Sequence, residues 1–106
     1  MWGVIRITEA GTKSNYLTVT SIKEQFPPDA IGGENKKDAP VRTIKVHWGG
    51  DPVETYIVHG TGGWYFYSRG WEAKFFEKHN LRAGDKVVVE RMEPYTFHVY
   101  PLRQIE

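Results

Sequence analysis

The side chains that most often carry catalysis or metal binding are sparse in this sequence. It has four histidines and no cysteine, which excludes disulfides, thiolate nucleophiles and cysteine zinc sites. No two histidines have the close spacing that places two imidazoles on one face of a strand or helix. We therefore expect no metal site and no cofactor, and we interpret His47 and His98 as ordinary strand residues.

The other reactive side chains lack a catalytic frame, with one loose exception. The serines have no Gly-x-Ser-x-Gly context, and residues 59–63 lack the Lys-Ser/Thr pair of a phosphate-binding loop. Asp29, Glu72 and Lys74 loosely match the acid–acid–lysine signature of metal-dependent nucleases, whose carboxylates hold a divalent cation. That signature needs its Glu and Lys at a strand end, whereas both fall in a predicted helix. We expect a non-enzymatic domain, with a nuclease as the least favoured alternative.

Two polar segments remain as candidates for binding. Residues 8–15 and 59–64 combine hydrogen-bonding side chains with small residues, which let a backbone approach another surface closely. Asn, Lys and Ser are suited to the base edges and phosphates of nucleic acids. On residue type alone, ordinary solvated loops are the commoner explanation of both segments.

Alternating and β-branched runs predict the strands that must position these segments. The clearest signal is a hairpin in which residues 42–48 and 53–58 flank a Gly-Gly-Asp-Pro turn. Each run is short and is bounded by turn residues. The seven predicted strands are residues 2–7, 16–20, 42–48, 53–58, 65–67, 86–92 and 95–100.

Two short helices are predicted between the strands. Residues 21–24, Ser-Ile-Lys-Glu, form a capping box ahead of a helix that the prolines at 27–28 stop. Ser68 can cap a second helix over residues 69–79. Its inward face is predicted to contain Trp71, Ala73, Phe75 and Phe76, and its solvent face Glu72, Lys74, Glu77 and Lys78.

These elements predict a single mostly β domain over residues 1–106, built as a barrel or sandwich with helices over its ends. Residues 29–41 are expected to form a surface loop, with a phosphate clamp through Lys36 and Lys37 as the alternative. The net charge of +1 gives little support to non-specific nucleic-acid binding, because phosphate contacts dominate such affinity. No apolar run is long enough to span a membrane, and the first residues do not resemble a signal peptide.

Residues 64–89 carry a resemblance to a known family. They contain an aromatic strand, an Arg-Gly-Trp helix start, a Phe within the helix, and Asn-Leu-x-x-Gly-Asp before a strand. This order resembles the DNA-binding pseudobarrel of the plant B-three transcription-factor domains and of the related effector domains in bacterial restriction endonucleases. The matching residues are Tyr65, Arg69, Gly70, Trp71, Phe75, Asn80, Leu81, Gly84 and Asp85.

The motif residues have physical roles that fit together. Gly70 would allow tight packing at the helix start, and Trp71 would anchor the core. Gly84 would take a positive φ in the turn, and the Asp85 carboxylate would bond to the turn backbone.

The resemblance implies a seven-stranded open pseudobarrel with two short helices, from which two arms enter the major groove of duplex DNA. The first arm would be residues 8–15 with Arg6, and the second arm residues 59–64 with Arg69. Basic side chains of the arms would neutralise phosphates, and Ser14, Asn15, His59 and Thr61 would contact base edges. The expected DNA-binding residues are Arg6, Thr8, Thr12, Lys13, Ser14, Asn15, His59, Thr61, Trp64 and Arg69.

The expected partner is double-stranded DNA, with no membrane and no small-molecule cofactor. The resemblance leaves open a transcription-factor domain of a plant nucleus and a bacterial restriction effector with a fused or partner nuclease domain, both intracellular. Core packing is the alternative role for Trp64. The alternative function is a protein- or glycan-binding β module that uses exposed aromatic side chains.

Overall fold

The computed structural model describes residues 2–33, 36–60, 62–67 and 70–102. This part of the chain is mostly β, as predicted, but it contains eight strands in two sheets rather than seven strands. The strands are β1 (Trp2–Arg6), β2 (Ile31–Gly32), β3 (Ile44–His47), β4 (Val53–Thr55), β5 (Ile57–Gly60), β6 (Gly63–Phe66), β7 (Lys86–Glu93) and β8 (Thr96–Pro101).

Few helices accompany the strands in the described residues. They are α1 (Glu9–Ser14), α2 (Trp71–His79) and three short 3-10 segments, Thr20–Gln25, Pro28–Ala30 and Lys36–Asp38. None of the described helices combines the length and apolar character needed to cross a membrane.

The larger sheet has the strand order β1-β7-β8-β3-β4, and the smaller has β2-β5-β6. Two pairs, β3–β8 and β2–β5, are parallel, and the other pairs are antiparallel. In the long β7–β8 hairpin, Val87, Val89, Phe97 and Val99 are fully buried. These alternate positions share one sheet face, because successive side chains of a strand point to opposite sides. The described strands therefore form one packed core without closing into a single barrel.

The helix α2 supplies the aromatic side of this core. Trp71 is 2% exposed and Phe75 is fully buried. The Trp71 ring meets Phe66 edge-on with centroids 5.5 Å apart, and it lies 6.3 Å from Trp48. Such tilted and edge-to-face pairs are favoured by the aromatic quadrupole. The predicted role of Trp71 as a core anchor is confirmed.

The strand predicted over residues 53–58 is divided between the two sheets. It ends as β4 at Thr55 and resumes as β5 at Ile57, with Tyr56 between them. Residues 55–58 are all buried, so the chain here passes through the interior and has no solvated face. Tyr56 stacks on Tyr67 at 4.6 Å, and its carbonyl accepts the Tyr67 N–H. This division and the two-residue β2, which lies in the expected surface loop 29–41, account for the extra strands.

Residues 16–20 do not form the predicted strand. Thr18 makes one isolated bridge to Tyr65, whereas the Leu17 N–H donates to a carboxylate oxygen of Glu72. The capping box at Ser21 is also wrong. The helix there is the 3-10 segment Thr20–Gln25, which starts after Val19 with no side-chain cap.

The motif around α2 forms largely as predicted, with two corrections. Gly84 has φ 93°, and Asp85 Oδ2 accepts the Arg82 N–H at 2.8 Å, which confirms the turn. Gly70 does not pack tightly, since a Cβ there would meet nothing within 4 Å; glycine suits the position because φ is 83°. Glu72, predicted on the solvent face, is fully buried. Ser68, the predicted cap, lies outside the described residues.

Candidate nucleic-acid interface

The first arm is a short helix, not the loop that the sequence predicts. Thr8 is the N-cap of α1, and its Oγ1 accepts the Gly11 N–H at 2.9 Å. Asn15 ends the helix in the left-handed conformation with φ 57°, and its N–H bonds to the Gly11 carbonyl. Threonine at an N-cap and asparagine at a left-handed C-cap are both favoured positions. The helix has six residues, which is too short to leave a periodic pattern.

The helical form gives the polar side chains of the first arm different roles. The Thr8 hydroxyl caps the helix, and the Thr12 hydroxyl donates to the Glu9 carbonyl at 2.7 Å. Lys13, Ser14 and Asn15 are exposed at the carboxyl end of the helix. Thr8 is exposed too, but its hydroxyl is used as the cap, so Lys13, Ser14 and Asn15 are the polar side chains that the carboxyl end of the arm presents.

The second arm is the tip of the β5–β6 hairpin. His59 lies directly opposite Trp64, and Gly60 lies opposite Gly63. The imidazole of His59 stacks on the indole of Trp64, with centroids 4.2 Å apart and planes inclined by 15°. His59 is exposed and Trp64 is half-buried, so the indole belongs partly to the core and partly to the arm. Thr61 lies outside the described residues.

The two arms adjoin at their bases. Tyr16, which follows the first arm, has its ring 5.8 Å from that of Tyr65 in β6. The Val19 N–H donates to the Trp64 carbonyl at 2.7 Å, and the Trp64 N–H donates to Thr20 Oγ1 at 3.0 Å. The segment that follows the first arm is therefore hydrogen-bonded to β6, the strand that follows the tip of the second arm.

A buried carboxylate fixes this junction to α2. Glu72 Oε2 accepts the Leu17 N–H at 2.6 Å, and both residues are essentially inaccessible to solvent. A buried backbone N–H that lacks an acceptor is costly, and this hydrogen bond satisfies the Leu17 N–H. Glu72 therefore positions the backbone between the first arm and β6.

One cation at the junction was not among the predicted residues. The Lys23 ammonium lies 5.3 Å from the centre of the Trp64 ring, within the range of a cation–π contact. Lys23 belongs to the 3-10 segment, which the backbone bonds of Val19 and Thr20 bring against the hairpin. No local spacing in the sequence could have indicated a contact between residues so far apart.

The structure describes only some of the remaining residues that were predicted to contact phosphates. Arg6 is exposed at the end of β1, immediately before the residues that lead into the first arm, and it lies opposite Lys86. Arg69 lies outside the described residues, as do Ser68 and Thr61. Lys37 is exposed within the 3-10 segment Lys36–Asp38, and the phosphate clamp through Lys36 and Lys37 stays a prediction.

The carboxyl groups considered for nuclease chemistry have hydrogen-bond partners elsewhere in the fold. No three His, Asp or Glu side chains of the described residues converge as a metal site. His47 and His98 are strand residues, as expected, but they lie side by side on β3 and β8 along a groove of about 610 Å³. The Asp29 carboxylate lies 2.7 Å and 2.9 Å from the Tyr95 hydroxyl, and this hydrogen bond raises the pKa of Tyr95. Glu72 accepts a hydrogen bond from the Leu17 N–H.

Comparison with known proteins gives no assignment. The chain matches no protein-family model, no curated protein and no solved structure. A functional proposal therefore depends on the geometry of the arms and on the residues that resemble the B-three motif.

Proposed function

We propose that this chain is a sequence-specific double-stranded DNA-binding domain that places its two arms in one major groove. In this proposal the two sheets and α2 represent an open pseudobarrel of the B-three type, as a transcription-factor domain or as a restriction-endonuclease effector. The observation that carries the proposal is the bonded junction of the arms, formed by Tyr16 on Tyr65 and by Val19 on Trp64. A fixed junction gives two separate segments a constant spacing, which groove recognition requires.

The junction supports a division of roles among the accessible side chains. Ser14, Asn15 and His59 would contact base edges, where a good bidentate contact provides roughly 1–3 kcal/mol of discrimination. Trp64 would brace His59 through their 4.2 Å stack rather than contact a base. Thr61 and Arg69 retain the base-edge and phosphate roles that the resemblance implies.

Three described cations would provide the phosphate contacts of the arms and their junction. They are Arg6, Lys13 and Lys23, which lie before, within and after the first arm. The logarithm of the binding constant falls with the logarithm of salt concentration, and these three contacts alone would contribute about 3 to the slope. Such a slope is modest and agrees with a net charge of only +1.

Selection from a randomised duplex library tests the proposal directly. Binding of the enriched duplex is then measured by fluorescence anisotropy for the parent chain and for Lys13→Gln, Asn15→Gly and the control Lys45→Gln. Glycine at position 15 retains the left-handed conformation while removing the amide, so the helix end is preserved.

The two arm variants should change DNA binding in different ways. Lys13→Gln should weaken all duplexes alike and lower the salt slope by about one unit, because one phosphate contact is lost. Asn15→Gly should weaken the selected duplex much more than an unrelated one, while Lys45→Gln should match the parent. Failure to enrich any sequence, with no binding at low salt, would contradict the proposal. That result would favour a protein- or glycan-binding module, for which Trp2, with 64% of its surface exposed, is a ready contact.

A further inference from the structure

Two like charges lie directly opposite each other at one end of the larger sheet. Arg6 of β1 pairs with Lys86 of β7 in the antiparallel register, and both side chains are exposed. Directly opposite residues have Cβ atoms about 5 Å apart on the same sheet face, and like charges there are destabilising. Within the described part of the chain, neither side chain forms an ion pair. A bound anion would stabilise two like charges in this arrangement.

A third cation adjoins this pair through the turn before β7. The Ile7 N–H donates to the Asp85 carbonyl, and the Ile7 carbonyl accepts the Gly84 N–H, both at 2.8 Å. These bonds fix the turn against the residue that precedes the N-cap of α1. Arg82 is exposed in this turn, and its backbone N–H is held by the Asp85 carboxylate.

We infer that Arg6, Arg82 and Lys86 form a phosphate-binding patch that contacts the DNA backbone beside the first arm. The inference rests on the proposed function and extends it, because neither Arg82 nor Lys86 belongs to an arm. Arginine and lysine bind both phosphates and guanine edges, so the position of these residues indicates a phosphodiester. Arg82 and Lys86 lie in a tight turn and at a sheet end, outside both arms, and Lys and Arg that contact phosphates fix register on the backbone without reading sequence.

The chain offers a matched control for Lys86. Lys45 is also an exposed lysine on the larger sheet, where it pairs with Thr96 of β8 and Glu54 of β4. It lies near the opposite end of the β7–β8 hairpin, roughly 20 Å from Lys86 by the rise of a strand. Lys45→Gln and Lys86→Gln therefore remove the same charge from the same sheet at two distant places.

Anisotropy titrations with the selected duplex and an unrelated duplex test the patch, over a series of salt concentrations. Lys86→Gln and Arg82→Gln should each weaken both duplexes by roughly tenfold at about 0.1 M salt and lower the slope by about one unit. The ratio between the two duplexes should stay constant. Lys45→Gln should bind as the parent does.

Thermal unfolding of the free variants separates a lost contact from a lost fold. Lys86→Gln should unfold at a temperature no lower than the parent, because it removes a like-charge pair. If the parent binds and both patch variants bind equally well with the same slope, the patch is wrong while the proposed function stands. If the parent binds no duplex, the proposed function and the patch fail together.

Discussion

The two arms obtain their shapes from different sources. The first arm is shaped by its own residues, with Thr8 capping α1 and Asn15 ending it in a left-handed turn. The second arm is shaped by pairing, because His59 and Trp64 face each other across β5 and β6. The first arm could therefore change conformation with little effect on the sheets, whereas the second could not. A recognition surface that combines the two would have one adaptable and one rigid part.

The difference also identifies where the arms depend on each other. The first arm reaches the core through Leu17, whose N–H is bonded to Glu72, and reaches the second arm through Val19 and Thr20. Changes at Glu72, Trp64 and Thr8 should therefore act on the junction, the second arm and the first arm, in that order of size.

Glu72→Ala should have the largest effect on stability. It leaves the buried Leu17 N–H without its acceptor and opens space beside fully buried side chains, so we expect a loss of about 3 kcal/mol. Urea unfolding measures it, with Glu77→Ala on the exposed side of α2 as control and an expected change within about 0.5 kcal/mol. Glu72→Gln, which keeps an acceptor oxygen, should fall between the two. Equal stability of the two alanine variants would exclude Glu72 as the anchor of the junction.

Trp64→Ala should have an intermediate effect, confined to the second arm and the Lys23 contact. The half-buried indole packs on His59 and lies under the Lys23 ammonium, so its loss should reduce stability by about 2 kcal/mol. Trp2→Ala is the matched control, because Trp2 is 64% exposed and should contribute little. A loss at Trp2 as large as that at Trp64 would contradict the role given to the stack.

Thr8→Ala should have the smallest effect and a local one. Removal of an N-cap hydroxyl reduces stability by about 1 kcal/mol, and Thr8→Ser should retain most of it. Hydrogen exchange of the Gly11 amide, which Thr8 accepts, should accelerate in the alanine variant, while the amides of β5 and β6 should exchange as before. Acceleration in both regions alike would show that the first arm is not an independent unit.

The elements with local signals could be predicted from the sequence. The β3–β4 pairing, the strands β7 and β8, α2 and the turn at Gly84 follow from alternation, apolar spacing and turn chemistry. The strand predicted over residues 65–67 overlaps β6, because aromatic side chains mark it.

The elements that the sequence did not predict depend on distant partners or on very short segments. The six-residue α1 leaves no period, and its two caps resemble ordinary loop residues. Glu72 looks like a solvent-facing helix residue until the chain at Leu17, far away in sequence, supplies an N–H. The contact of Lys23 with Trp64 and the exchange of sheets at Tyr56 likewise require the tertiary fold.

Amide chemical shifts during titration with the selected duplex test the central claim most directly. If both arms enter one groove, the signals of residues 13–15 and of residues 59, 60, 63 and 64 should change together and saturate at the same ratio of duplex to protein. The β3–β4 turn at residues 49–52 should remain unaffected. Shifts in only one arm, or two arms that saturate at different ratios, would contradict a single interface formed across the junction.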